Sequence, residues 1–171
     1  STPDSANIGL ITDSQLNAYT NVASEPETPS GDEHLSIWYA NDVTAADETL
    51  TVYVFPEDDT SAITFTAFEY DTGGAGGAFD VAETNSGTGT AATSGTTAAT
   101  GAANEIVVAA FANENDTTSG TADPAYTLRS QVGEFGLVTL EDTAVTTGAQ
   151  SASYTWSGSQ TWLGAIAAFD T

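Results

Sequence analysis

The sequence has no cysteine, no methionine and a single basic side chain, Arg129, set against 24 acidic ones. Without cysteine there is no disulfide, no zinc–thiolate centre and no thiol nucleophile. With one cation and a formal net charge of −23, the chain lacks the Lys and Arg that neutralise phosphates, so nucleic acid is not an expected partner. An anionic membrane surface is disfavoured for the same reason. No apolar run is long enough to span a bilayer, so membrane insertion is not expected either. A sustained 3.6-residue apolar period, the mark of an amphipathic helix, is also missing. The start at Ser1 suggests a processed end or removal of an initiator Met, and the lack of cysteine fits an exposed, oxidising location.

What the chain does have is acid, small residues and alternation. Its charge implies self-repulsion at low salt. Saline surroundings would screen that repulsion, since the Debye length falls to about 8 Å at physiological ionic strength and about 3 Å at 1 M. A marine or halophilic setting follows as the expectation. A length of 171 residues suits one domain with a sizeable core. The expected division is an N-terminal arm with an acidic, Pro-rich loop over residues 1–34, then a core over 35–171.

Period-two runs carry the fold reading. Leu35, Ile37 and Tyr39 alternate with Ser36, Trp38 and Ala40, and Leu50, Val52 and Val54 alternate with Thr51, Tyr53 and Phe55. Such alternation marks strands with one buried face. Further strands are expected over 8–11, 15–22, 63–70, 79–82, 105–111, 126–132, 137–143 and 149–156. The run from Leu163 to Phe169 is almost continuously apolar, as a strand covered on both faces would be. Ser157-Gly158-Ser159-Gln160 is turn chemistry and predicts a hairpin between the last two strands. Residues 85–104, nearly all Ser, Thr, Gly and Ala, predict a loop with one small-residue strand near 96–100. Short strands separated by turn signals argue an all-β fold, a two-sheet antiparallel sandwich of jelly-roll or immunoglobulin-like type, with a closed barrel as the alternative.

Several of these segments together resemble a β-sandwich module of tailed-phage structural proteins and related secreted bacterial proteins. The similarity runs from Leu35-Ser-Ile-Trp-Tyr-Ala through Leu50-Thr-Val-Tyr-Val to Glu69-Tyr70, then Phe79-Asp80 and Asn104-Glu-Ile-Val-Val-Ala-Ala-Phe111. It closes on Trp162 and Ala167-Ala168-Phe169. The Asp71-Thr72 pair and the extra glycines before Phe79 depart from that pattern. The resemblance implies a structural or surface module of a virus particle, capsid-decorating or tail-associated, with no catalytic residues to carry over.

His34 is the only histidine, in Gly31-Asp-Glu-His34. A Ser-His-Asp triad needs a base beside a nucleophile, and Ser and Asp are too abundant here to discriminate. Carboxylate pairs suited to glycoside hydrolysis are inevitable among 24 acids. Calcium takes oxygen ligands, and the candidate ligands are Glu57, Asp58 and Asp59 in one loop and Glu114 and Asp116 in another. Neither loop has EF-hand spacing. Asn115-Asp-Thr117 matches the N-glycosylation acceptor pattern. Trp38, Trp156 and Trp162 would stack on sugar rings if exposed, but each sits in or beside an apolar strand and reads as core.

The expectation is therefore a non-enzymatic module at a virion surface or in another extracellular setting. It would need no cofactor, with calcium as the open exception. Its partners would be other copies of itself or another structural protein of the particle. Two alternatives stand beside it: a secreted carbohydrate-binding module, and a filament subunit that exchanges a terminal strand drawn from residues 1–22.

Overall fold

The computed structural model describes residues 7–25, 33–43, 49–55, 63–72, 77–133 and 136–171. The described chain is all-β and antiparallel. Its strands are β1 (Asn7–Asp13), β2 (Thr20–Glu25), β3 (Leu35–Tyr39), β4 (Leu50–Phe55) and β5 (Phe79–Thr93), followed by β6 (Ile106–Asn113), β7 (Gly120–Ala122), β8 (Thr127–Val132), β9 (Leu137–Asp142) and β10 (Ser153–Phe169). A six-stranded sheet runs β5-β10-β6-β9-β8, with β7 on the first part of β10. Two smaller sheets pair β1 with β4 and β2 with β3.

The last strand is the axis of the molecule. Trp162 to Phe169 of β10 pairs with Ile106 to Asn113 of β6 on one side and with β5 on the other. Its alternate residues feed two cores, because a central strand is buried on both faces. Leu163 and Ala165 join Ala110, Ala112 and Leu137, and β2 and β3 cover that face through Ala23 and Leu35. Trp162, Ile166 and Ala168 face the other way, with Val107, Ala109, Phe111, Val138 and Leu140.

That second face is covered by the sheet itself. The β5–β10 register jumps between Thr155 and Gln160, and both strands turn a corner there. A sheet changes layer in this way at a bulge or bend. The early part of β10 then brings Tyr154 and Trp156 onto the core that contains Phe111. The Phe111 and Tyr154 rings lie 6.3 Å apart, and those of Tyr154 and Trp156 lie 5.2 Å apart. The fold-over needs a residue without a side chain: a Cβ on Gly164 would sit 2.6 Å from the Thr93 carbonyl oxygen and 3.2 Å from the Ser94 Cα.

The segment after β5 closes this layer by a side-chain ladder. The N–H groups of Ser94, Thr97 and Thr100 each donate to a carbonyl, of Ala152, Gln150 and Gly148 in turn, at 3.0 Å. Each hydroxyl oxygen accepts the N–H of the same partner, at 3.0 Å for Ser94, 2.9 Å for Thr97 and 3.2 Å for Thr100. All three side chains are buried. A three-residue spacing is that of an extended polyproline-type segment, which places every third side chain on one face. The hydroxyls therefore satisfy backbone groups that a regular ladder would otherwise pair.

Several strand expectations change, among them that over 15–22, where the strand starts only at Thr20. Ser157 to Gln160 is not a hairpin turn; β10 runs through it as one strand of 17 residues, because the corner is made by both strands together. Phe79 to Ala82 and the first part of the small-residue stretch, to Thr93, form a single strand of 15 residues, β5, and not a brief strand and a loop, while the strand expected near 96–100 is reduced to one bridge between Ala99 and Ala149. Residues 63–72 keep an alternating burial pattern but form no regular strand. They are held instead by side-chain contacts to β8 and β9. Residues 7–25, expected within an arm, supply β1 and β2, and Ala23 of β2 is core.

Candidate functional site

A shallow cleft of about 210 Å³ lies between β2 and β5, lined by Val22, Ala23, Ser24, Ala82, Glu83 and Thr84. The antiparallel β2–β3 register sets Glu25 opposite Leu35 and so brings Ser24 near His34. Ser24 Oγ and His34 Nε2 are 3.0 Å apart. This is nucleophile–base distance, but the pair is exposed. Water competes for both groups, and neither is activated by burial. The pair's evident work is to tie the open end of the β2–β3 sheet.

The expected calcium ligands are placed unequally. Glu57, Asp58 and Asp59 lie outside the described residues. Glu114 and Asp116 belong to the loop after β6, and the side chain of Asn113, the last residue of β6, holds that loop. Asn113 Oδ1 accepts the N–H groups of Asn115 and Thr117 at 3.1 and 3.2 Å. Its Nδ2 donates to the Thr117 carbonyl at 2.7 Å. Asp116 is exposed, in a left-handed backbone conformation (φ 51°). Among the described residues, no group of three or more His, Asp or Glu side chains is arranged to hold a metal ion. Asn115, the glycosylation candidate, is exposed, and its amide donates to Gln160 Oε1.

The aromatic candidates divide as well. Trp156 and Trp162 are core side chains, 2% and 6% exposed. Trp38 is half-buried on β3, its indole N–H donating to Ser36 Oγ at 3.0 Å. A separate aromatic group, Tyr39, Phe79 and Phe169, gathers where β3, β5 and β10 meet. Its rings tilt against each other by 41°, 45° and 65°, so they present no common plane for stacking a sugar.

Composition alone located no further charged sites, but the fold assembles three. The first surrounds Glu105, which is fully buried at the start of β6. One of its oxygens accepts the Ala102 N–H at 2.7 Å. Burial pushes its pKa up; the Ala102 bond opposes this, and the Asp80 and Asp170 charges and the Asp80 carboxyl contact reinforce it. Asp80 itself accepts the Gly101 N–H at 2.7 Å. The carboxyls thus anchor the 101–105 turn against the ends of β5 and β10.

The second site is the only cation. The β8–β9 ladder skips Arg129, a bulge of the kind that re-aims a side chain. Arg129 Nε lies 3.4 Å from Glu141 Oε2, and its guanidinium lies 5.9 Å from the centre of the Phe68 ring. Tyr70 donates its hydroxyl to Glu141, and Thr66 Oγ1 lies 3.4 Å from Ser130 Oγ. Burial, then the Glu141 hydrogen bond, pushes the Tyr70 hydroxyl above its usual range. The cluster straps residues 63–72 along β8, which explains their alternating burial without a backbone ladder.

The third is Asp13, at the end of β1. Burial raises its pKa, but four hydrogen bonds to the carboxylate outweigh that and lower it to about 2. The donors are the Gln15 and Asn17 N–H groups, Asn17 Nδ2 and Tyr19 Oη, at 2.7 to 3.0 Å. A carboxylate accepting several N–H bonds behaves in this way. The side chain shapes the turn between β1 and β2.

No protein-family model matches the chain, and no curated protein or solved structure matches it.

Proposed function

We propose that this chain is a non-enzymatic structural or surface module of a virus particle, working in saline surroundings through protein–protein contacts. The observation that supports this best is how its large side chains are used. Trp156 and Trp162, the strongest candidates for ligand stacking, are locked in the core beside Tyr154 and Phe111. The carboxyls with clear structural roles are engaged with neighbouring protein groups, as at Asp13, Asp80 and Glu141. A body with net charge −23 approaches like partners only where salt or a cation screens it. Its affinity then rests on extended strand surfaces, and the setting is extracellular or on a virion. The terminal-strand-exchange alternative is less favoured, because residues 7–13 already pair with β4 and residues 20–25 with β3.

The carbohydrate-binding alternative is separated by a glycan array run on the folded chain in saline buffer. The structural reading expects no glycan to be selected. Specific binding by a monodisperse monomer, lost on Trp38→Ala with the fold intact, would overturn it.

A further inference from the structure

We infer that the outer edge of β5 is the surface on which a second copy of this chain docks, strand against strand. This deepens the particle-module reading, on which it rests for the claim that the chain assembles at all.

The two edges of the six-stranded sheet are unlike. The β8 edge is interrupted by the bulge at Arg129 and carries the strap of residues 63–72. Bulges, charges and covering segments are how sheet edges are kept from pairing. The β5 edge has none of these from Thr84 to Gly89, past the charge of Glu83. From Ala82 to Gly89 it pairs residue for residue with Ala167 to Gln160 of β10, and among the described residues no strand pairs with its other side. Half of its N–H and C=O groups therefore point away from β10.

Charge singles out the same edge. No Asp, Glu, Lys or Arg lies between Glu83 and Glu105, nor between Asp142 and Asp170. These two stretches are neighbours in space. β5 pairs with β10, and residues 94–100 pair with 148–152. A chain of net charge −23 thus presents one strand edge, with the segment beside it, free of charge. Two copies meeting there avoid the like-charge contacts that oppose any other approach. The chain's own N-terminal strands are not the occupant, since β1 and β2 are already paired. Antiparallel pairing of β5 with β5 of a second copy is self-complementary, as a twofold contact requires. The backbone supplies the affinity, as in strand addition generally.

The test is sedimentation of the purified chain at 1 M sodium chloride and at low salt, for wild type, Thr88→Asp, Thr88→Ser and Thr127→Asp. Thr88 is exposed on β5, and Thr127 is exposed on the opposite edge strand. Wild type, Thr88→Ser and Thr127→Asp should associate at high salt and dissociate at low salt. Thr88→Asp should weaken association at least tenfold, because like charges directly across a strand pair repel. Thermal midpoints near that of wild type establish that each variant folds, and Thr90→Asp, also exposed on β5, serves if Thr88→Asp does not. A wild type monomeric at both salts, or equal losses from Thr88→Asp and Thr127→Asp, would overturn the inference. A monomeric chain that still decorates native particles would overturn the edge contact while leaving the module reading intact. Association through β5 by a chain found on no particle would do the reverse.

Discussion

Gly87 lies under the indole of Trp162, its cross-strand partner. A Cβ at Gly87 would sit 2.8 Å from Trp162 Cζ2 and 3.3 Å from Cε2. Carbon atoms pack best at about 3.5–4.0 Å. Gly87→Ala therefore forces the ring outward or separates β5 from β10. The ring has little room to move, because Trp162 is 6% exposed and packed in the core. Overpacking of this kind costs about 1–3 kcal/mol. The new methyl returns about 0.4–1 kcal/mol by restricting the unfolded chain. The net loss, centred on roughly 1.3 kcal/mol, lowers the melting midpoint by roughly 3–5 °C in a chain of this size. Gly133→Ala is the control: a Cβ there meets nothing within 4 Å. Thermal unfolding followed by tryptophan fluorescence reads both variants. If Gly87→Ala melts at or above wild type, alongside Gly133→Ala, the packing of Trp162 on β5 is refuted.

Three further outcomes follow from the same contacts. Thr97→Val removes the hydroxyl that accepts the Gln150 N–H and donates to the Ala98 carbonyl; leaving that donor unpaired costs about 1–3 kcal/mol in chemical denaturation, and Thr97→Ser should recover most of it. Glu105 has a raised pKa in the fold, so its contribution to stability is complete below the ordinary value of 4.5 and is lost as pH rises through the folded value. Glu105→Gln, which keeps an acceptor for the Ala102 N–H, should raise the midpoint at pH 7 and flatten its decline from acid to neutral pH; an unchanged slope would contradict this. The melting midpoint should also climb from low salt to 1 M sodium chloride as the −23 charge is screened, and a flat or falling midpoint would count against saline adaptation.

Legibility in the sequence followed side-chain size. β3, β4, β6 and β9 were readable because large apolar residues alternate or cluster in them. β5 was not, because its pairing depends on smallness: Gly87 admits the Trp162 ring. Small residues look like a linker until their partners are known. The run Ser157 to Gln160 has turn composition, yet it lies at a corner where two strands bend together, and composition does not tell a corner from a hairpin. The Ser94, Thr97, Thr100 spacing was visible but carries a three-residue period, not the two-residue period sought for strands. At the candidate sites, the burial of Trp156 and Trp162 was legible from their apolar neighbours. Arg129 announced itself as the only cation, but its partners Tyr70 and Glu141 are distant in sequence. Glu105 looked like any of the 24 acids, because its burial is imposed by the ends of β5 and β10.

Electron cryo-microscopy of particles purified from the native source in molar salt, labelled with antibody to this chain, asks whether the module belongs to a particle. Regularly spaced label and a repeating density that accepts the folded-over β5–β10 sandwich are the expected result. Label found only on soluble monomers, with no such density on any particle, would contradict it.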